Sequence, residues 1–193
     1  MSEEAKKRIN KEKYMGKIIL KVPTKEEIKY RQFLMQDKET MEYNAGYNID
    51  LKGYDYETGC IYKTDIEMQE WYDKWIGKDD RYYAYIVDKE SNENVGEIYF
   101  YKDDEVNAYS MGIVIEAKYR GKGYSKEALI ELKKVAFEKY NVNALSDQIP
   151  KYRVGALRVF EDVGFIKTDR ELNETRFGKE SIVYEMRCEK GEG

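Results

Sequence analysis

The sequence predicts a single α/β domain of the α+β type, built on one mixed sheet. A run of apolar residues over 109–115 predicts a buried strand, which continues through a glycine-rich turn into an amphipathic helix. Upstream, residues 81–87 and 94–101 alternate in polarity as the two strands of a hairpin do. With 193 residues the chain can bury a substantial core, and one domain over 1–193 is the simplest organisation.

The amino-terminal half is expected to supply one strand, two helices and the hairpin. Residues 17–22 predict the first strand, and Thr24 is placed to cap a helix that ends near Gln36. A second helix over 66–75 carries two tryptophans on its apolar side. The hairpin turn is expected at 91–94, where serine and asparagine favour a reversal of the chain.

The carboxyl-terminal half continues the alternation of strands and helices. The amphipathic helix after the glycine turn extends to about Tyr140, and a strand at 144–149 is expected to lie parallel to the strand before that helix. A short helix ending at Gly164 leads into a further strand. Residues 182–187 predict a final antiparallel strand, and the sequence contains no internal repeat.

Composition excludes several classes of function. The chain has no histidine, which removes imidazole bases, Ser-His and Cys-His hydrolases and most zinc sites, so no metal is expected. A formal net charge of -4 argues against a nucleic-acid partner and suits a cationic one.

The same composition gives expectations for location and for the chain ends. No apolar run approaches the roughly 20 residues that span a bilayer, and residues 1–13 lack the apolar block of a signal peptide. We therefore expect no membrane partner and a cytoplasmic location. Cys60 and Cys188 have neither metal-site nor disulfide-framework spacing and are expected to be reduced. Residues 1–14 are expected to be a flexible or loosely packed start, and 187–193 a tail.

The glycine-rich turn at 119–125 is the most informative segment for function. A helix start offers backbone amides without intrahelical acceptors, together with the positive end of the helix dipole, and both suit a phosphate. Gly121 and Gly123 allow a ligand to approach the backbone closely. The alternative is a plain tight turn, because a lone Gly-x-Gly is weak evidence, and neither a Walker pattern nor a full dinucleotide fingerprint is present.

A second segment, 153–165, predicts the short helix that Gly164 ends. This helix and the turn from Arg120 to Ser125 resemble the two signature motifs of the Gcn5-related N-acetyltransferases: Arg/Gln-x-x-Gly-x-Gly/Ala after the fourth strand, and an Asn-x-x-Ala/Ser helix ending in Gly-Phe. The likeness covers about residues 95–188. Within that family, Gly121-Lys122-Gly123-Tyr124 and the Arg158-Val159 pair look similar to the ribosomal-protein-alanine acetyltransferase branch.

The resemblance implies a mostly antiparallel sheet of six to seven strands flanked by about four helices, with a splayed parallel pair forming a coenzyme A cleft. It also implies that acetyl-CoA is the acyl donor and that an amine attacks it directly in a ternary complex. The backbone of Ile113, Val114 and Ile115 would bind the pantetheine arm and supply the oxyanion donor. Gly112 hints at the family's strand bulge, although it can also simply relieve crowding. The pyrophosphate would bind the turn formed by Arg120, Gly121, Lys122, Gly123, Tyr124 and Ser125.

The sequence departs from the family at three positions. Phe160 stands where many members have the tyrosine that protonates the leaving thiolate, so Tyr152, Tyr124 or water is expected to take that role. Arg153 replaces the asparagine, and we expect it to pair with a phosphate of coenzyme A or else to be a solvated first-turn residue. Ser125 replaces the final Gly/Ala and can add a hydroxyl to a phosphate oxygen.

The chemistry requires a base. An alkyl ammonium titrates at about 10.4, so a carboxylate must take a proton from the amine, directly or through water. Glu97 is the first candidate, because alternation places it opposite Ile98 and Phe100, facing solvent or the cleft. Glu116, at the end of the strand before the glycine turn, is the second, and Asp147 is the third. For each of them the alternative is an ordinary solvated or salt-bridged carboxylate.

The amino-terminal half is expected to select the acceptor. Carboxylates and tyrosines are interleaved between Asp37 and Glu57, and this combination can bind a small cationic amine or a protein amino terminus, although a solvated loop has the same composition. Dimers are common in the family, so a homodimer is one expectation. Two other functions stay open. One is a degenerate member that binds acyl-CoA without catalysis, which Phe160 favours; the other is a domain that shares only the fold, against which the glycine turn argues.

Overall fold

The computed structural model describes residues 16–105 and 107–191, and within them seven strands form one sheet. The strands are β1 (Ile18–Lys21), β2 (Arg81–Asp88), β3 (Asn94–Asp103), β4 (Ala108–Ile115), β5 (Ala144–Pro150), β6 (Ile166–Arg176) and β7 (Lys179–Glu189). Their order in the sheet is β1-β2-β3-β4-β5-β7-β6. Neighbouring strands are antiparallel except β4 and β5, which are parallel. The predicted mixed, mostly antiparallel sheet is confirmed.

Helices cover both faces of this sheet. They are α1 (Lys29–Gln36), α2 (Lys38–Met41), α3 (Asp65–Trp75), α4 (Tyr124–Lys134) and α5 (Val154–Asp162). Helices α4 and α5 pack their apolar residues on the face that carries Ala84 and Ile86 of β2. The intervening residues Tyr83 and Tyr85 point to the other face, where they pack against the tryptophans of α3.

The helix boundaries differ from the predicted ones where capping decides them. Thr24 does not cap α1 with its side chain; a 3₁₀ turn, Glu26–Ile28, precedes the helix instead. Helix α3 begins one residue earlier than predicted, because Thr64 and Glu67 form a capping box in which each satisfies the other's backbone amide. The short helix α2 was not predicted from the sequence. Asp37 caps it by accepting a hydrogen bond from the amide of Thr40 at 3.1 Å.

The chain ends differ from expectation in one respect. Strand β7 continues through Glu189, so the predicted tail, 187–193, begins inside the sheet. The predicted loose start, 1–14, and the last two residues lie outside the part of the chain that the structure describes. Both cysteine thiols are buried. In residues 16–105 and 107–191, no helix is long and apolar enough to span a bilayer, and no group of three His, Cys, Asp or Glu side chains could hold a metal ion.

Strand β4 is less buried than its apolar sequence predicted, because its neighbour β5 pairs with it over only a short length. Only Ala108 and Met111 of β4 are fully buried. Strands β4 and β5 pair only at Tyr109 with Leu145 and at Ser110 with Ser146. Beyond these two pairs the strands separate, which leaves the β5-facing edge of β4 unpaired up to Ile115. The splayed parallel pair that the family resemblance implied is therefore present.

The strand bulge expected at Gly112 is absent. The pairing of β4 with β3 runs without a shift of register from Gly96 opposite Ile115 to the far end of the two strands. Gly112 is needed for another reason, since a Cβ there would lie 2.5 Å from the hydroxyl oxygen of Tyr99 on β3. Relief of crowding thus accounts for this glycine.

Candidate functional site

A cavity of about 600 Å³ opens where β4 and β5 separate. One wall is the carboxyl-terminal half of β4, one end is the glycine turn with the start of α4, and the opposite wall is α5. Most residues predicted to bind the cofactor line it: Ile113, Val114, Ile115, Arg120, Gly121, Gly123, Ser125 and Arg153. The structure therefore brings the two sequence motifs to a single site.

The glycine turn leaves the start of α4 without a side-chain cap. Gly121 and Gly123 adopt φ angles of +74° and +80°, a left-handed conformation that a side chain would strain. Gly123 immediately precedes α4 and has no side chain to cap it. Because Ser125 and Lys126 also line the cavity, the amides of the first turn of α4 lie at this end of it.

Arg120 lies in the cavity wall, but its guanidinium is bonded to backbone carbonyls. It donates to the carbonyl oxygen of Ile115 at 3.2 Å, to that of Glu39 at 3.2 Å and to that of Thr40 at 2.7 Å. The hydroxyl of Thr40 in turn accepts from the amide of Ala117 at 2.9 Å. These bonds fasten the glycine turn to α2, so the side chain of Arg120 has a positioning role in this structure.

Lys122 and Tyr124 lie outside the lining of the cavity. The carbonyl of Lys122 accepts a hydrogen bond from Nζ of Lys17. The hydroxyl of Tyr124 donates to Asp88 at 2.8 Å, and this bond to a carboxylate raises the pKa of Tyr124 to about 12. Tyr124 is thus held to the last residue of β2, away from the cavity lining.

Glu97, the first candidate base, is buried between the sheet and α1. Its carboxylate forms an ion pair with Arg31 of α1 and accepts a hydrogen bond from Tyr83 at 2.5 Å. The guanidinium of Arg31 lies over the ring of Trp71, 4.3 Å from its centroid. Glu97 does not line the cavity. The sequence predicted that its carboxylate faces solvent or the cleft, but in the structure it faces Arg31.

Glu116, the second candidate, is also buried and paired. It accepts a hydrogen bond from Tyr30 of α1 at 3.1 Å and forms an ion pair with Lys118 at 2.8 Å. Glu97 and Glu116 therefore both hold α1 in place, and Glu116 also holds the turn that follows β4.

Asp147, the third candidate, stands on β5 one residue beyond Ser146, the last residue of β5 that pairs with β4. Its carboxylate accepts a hydrogen bond from the amide of Gln148 at 2.8 Å. Among the described residues, it forms no ion pair with a lysine or arginine. Burial raises the pKa of Asp147 to about 7, against the opposing effects of the Gln148 amide and of Arg153. It does not line the 600 Å³ cavity; it lines a separate hollow of about 190 Å³ on the splayed strands, together with Ser110 of β4.

Tyr152, the predicted thiolate acid, is largely exposed and does not line the cavity. Its hydroxyl lies 3.3 Å from that of Tyr47, which donates to Glu174 of β6 at 2.9 Å. Phe160 does line the cavity and is 3 % exposed. The position at which many family members carry the acid therefore lies in the cavity, but the side chain there has no acidic proton.

Tyr43 lines the same cavity, and sequence reasoning placed it only among the aromatics of the acidic segment. The segment reaches the cavity because α2 is docked on the glycine turn, a long-range contact that no local pattern signals. Two carboxylates of that segment are used locally: Asp37 caps α2, and Asp55 accepts from the amide of Thr58 at 2.9 Å.

Comparison with known proteins agrees with this architecture. Residues 17–166 match the family model of an acetyltransferase (GNAT) domain. A spermidine N-acetyltransferase from Vibrio cholerae, solved in complex with CoA and spermine, superposes with a TM-score of 0.72 at 17% identity, covering 91% of this chain and 97% of that one. A chimera of the Vibrio cholerae enzyme SpeG with hSSAT gives a TM-score of 0.69 at 16% identity, covering 91% and 96%. At such identities these structures establish the fold alone. No curated protein matches the chain by sequence.

Proposed function

The chain belongs to the GNAT acetyltransferase family, and from that premise we propose that it acetylates the primary amine of a small cationic molecule by direct attack in a ternary complex. Family membership makes it an acetyl-CoA-dependent N-acetyltransferase. The observation that carries the proposal is the cavity between β4 and α5, which joins the uncapped start of α4 to the unpaired edge of β4. A protein amino terminus is the other acceptor of the same chemistry.

The residues of the cavity fit coenzyme A by their chemistry. The first-turn amides of α4 and the hydroxyl of Ser125 are donors for the pyrophosphate. The edge of β4 at Ile113 to Ile115 offers backbone groups to the amides of the pantetheine arm, as a strand offers them to a neighbour. Arg153 is exposed at the start of α5 and is available to a phosphate.

We assign the base to Asp147. Glu97 and Glu116 are each paired with a cation, whereas Asp147 stands where the strands separate and has a pKa raised to about 7. Such a carboxylate is ionised at pH 8, and its pKa lies close enough to neutral pH for it to exchange a proton with an amine through water. A cationic acceptor agrees with the net charge of -4, and the structural neighbour from Vibrio cholerae was solved with spermine.

The first experiment is calorimetric titration of acetyl-CoA into the purified protein and into the Gly123→Asp variant, which places a carboxylate at the proposed pyrophosphate site. Saturable binding that the variant loses supports the site, and failure of the unaltered protein to bind refutes the proposal. Initial rates with spermidine, kanamycin and an alanine-terminated peptide then identify the acceptor class. Intersecting double-reciprocal plots would support a ternary complex, and parallel ones a covalent intermediate.

A second function is kept open by one observation. Phe160 removes the family's usual acid from the cavity, which suits a module that binds acyl-CoA without turning it over. Binding of acetyl-CoA together with equal inactivity on all three amines would favour that function. The resemblance to the ribosomal-protein-alanine branch stays a prediction, and the alanine-terminated peptide tests it.

A further inference from the structure

The proposed transfer needs a proton for the sulfur that leaves the acetyl group, and the side chain in the family position cannot supply it. Phe160 has no exchangeable proton, Tyr152 lies outside the cavity, and the hydroxyl of Tyr124 is bonded to Asp88. A different donor within the cavity would complete the reaction.

Tyr43 meets the requirements of such a donor. It lines the cavity together with Phe160 and Val114. In the described part of the chain its hydroxyl has no hydrogen-bond partner, so it is available to a ligand. The guanidinium of Arg153 lies 5.1 Å from the centroid of its ring. Burial, assisted by the charge of Glu97, raises the pKa of Tyr43 to about 12, so the hydroxyl is protonated at neutral pH, as that of an unperturbed tyrosine with a pKa of about 10 also is.

The backbone on both sides of Tyr43 is fixed. Arg176, near the end of β6, donates to the carbonyl oxygen of Glu42 at 2.7 Å and to that of Ala45 at 2.8 Å. The side-chain amide of Asn44 donates to the carbonyl of Gly59 at 2.9 Å. The hydroxyl of Tyr43 is therefore presented from a rigid turn, which general acid catalysis requires for correct geometry.

We propose that Tyr43 is the general acid that protonates the leaving thiolate, in place of the tyrosine that Phe160 replaces. The inference rests on the proposed acetyl transfer. In the reaction the amine nitrogen forms a bond to the acetyl carbon, the carbon–sulfur bond breaks, and the sulfur takes the proton of the Tyr43 hydroxyl. The amine nitrogen loses its proton to Asp147 through water, Asp147 releases that proton to solvent, and a proton from solvent restores the Tyr43 hydroxyl.

The test compares Tyr43→Phe, which removes only the hydroxyl, with the unaltered enzyme. We expect kcat to fall about 100-fold, the lower end of what general acid catalysis contributes, while the Kd for acetyl-CoA by calorimetry changes less than about twofold and the melting temperature is kept. Tyr62→Phe is the matched control, because Tyr62 is 46% exposed and does not line the cavity. That variant should retain full kcat.

A rescue variant separates acid catalysis from a structural role. Introducing Phe160→Tyr into the Tyr43→Phe protein returns the hydroxyl to the family position, and we expect it to recover about tenfold or more of the lost kcat. The inference is overturned if Tyr43→Phe keeps full kcat, or if kcat is lost together with acetyl-CoA binding and is not recovered by Phe160→Tyr. Inactivity of the unaltered enzyme on every amine would instead refute the proposed function, so the two failures are distinguishable.

Discussion

Replacing Glu97 with glutamine should destabilise the fold far more than it alters the chemistry. The side chain of Glu97 is 6% exposed and that of its partner Arg31 is 16% exposed. Glutamine can still accept the hydrogen bond from Tyr83, but it leaves the guanidinium buried without a counter-charge. Removing one partner of a buried pair costs about 3 to 5 kcal/mol. Because glutamine keeps the shape and one hydrogen bond, we expect about 3 kcal/mol for Glu97→Gln.

Urea denaturation measures this loss as a lower midpoint at unchanged slope. For a chain of this size, 3 kcal/mol corresponds to a fall of about 6 to 12 °C in melting temperature. Glu90→Gln, on the exposed turn after β2, is the control and should change the free energy of unfolding by less than about 0.5 kcal/mol. The reasoning is refuted if Glu97→Gln unfolds like the unaltered protein but loses turnover with a changed pH profile, since Glu97 would then be the base.

Three further predictions concern the cavity and the splayed strands beside it. Gly123→Ala forces a side chain to φ +80° and should lower the free energy of unfolding by about 1 to 2 kcal/mol. Gly155→Ala is the control, because Gly155 lies in helix α5 with open space around its Cβ position. In the same urea titrations it should be neutral or stabilising by up to about 1 kcal/mol. The pKa of Asp147 is raised from 3.8 to about 7, so the folded state holds a proton that the unfolded state releases. The free energy of unfolding should therefore fall as pH rises from about 3.8 to about 7. Asp147→Asn should abolish this fall and should lose turnover at pH 8. An unchanged dependence of stability on pH in the variant would contradict the raised pKa on which the assignment of the base rests. Arg153→Ala should weaken acetyl-CoA binding about tenfold at low salt and less at high salt, measured by calorimetry; equal affinity at low salt would remove its phosphate role.

The parts of the fold that follow local rules could be predicted from the sequence. The hairpin of β2 and β3 was predicted from alternation, and the turn at Gly121 and Gly123 from the strand and helix that flank it. Alternation also correctly opposed Glu97 to Ile98. What it could not reveal is that Arg31, far away in the sequence, covers that carboxylate, because such a contact depends on how α1 docks on the sheet.

The candidate site shows the same division. Residues from the glycine turn and from α5 were identified because the family motifs are contiguous in the sequence, and they line one cavity. Tyr43 was missed as a cavity residue since it reaches the cavity from α2 and the following turn, whose position depends on Arg176 of a distant strand. The bulge expected at Gly112 failed for a related reason, because the size of Tyr99 on the neighbouring strand decided that position.

The buried polar contacts of α1 and α2 explain why the most conspicuous carboxylates of the sequence are poor candidates for the base. Arg31 binds Glu97 of β3, its neighbour Tyr30 donates to Glu116 at the end of β4, and Arg120 of the glycine turn binds carbonyls of α2. The contacts of Tyr30 and Arg120 join the amino-terminal helices to the end of β4 and to the glycine turn, which form the cavity, and the contact of Arg31 joins α1 to the neighbouring strand β3. A wall fastened in this way stands in place before a ligand arrives, which lowers the conformational entropy lost on binding. The charges of Glu97 and Glu116 therefore serve to assemble the site, and proton transfer falls to groups that the assembly leaves without a charged partner.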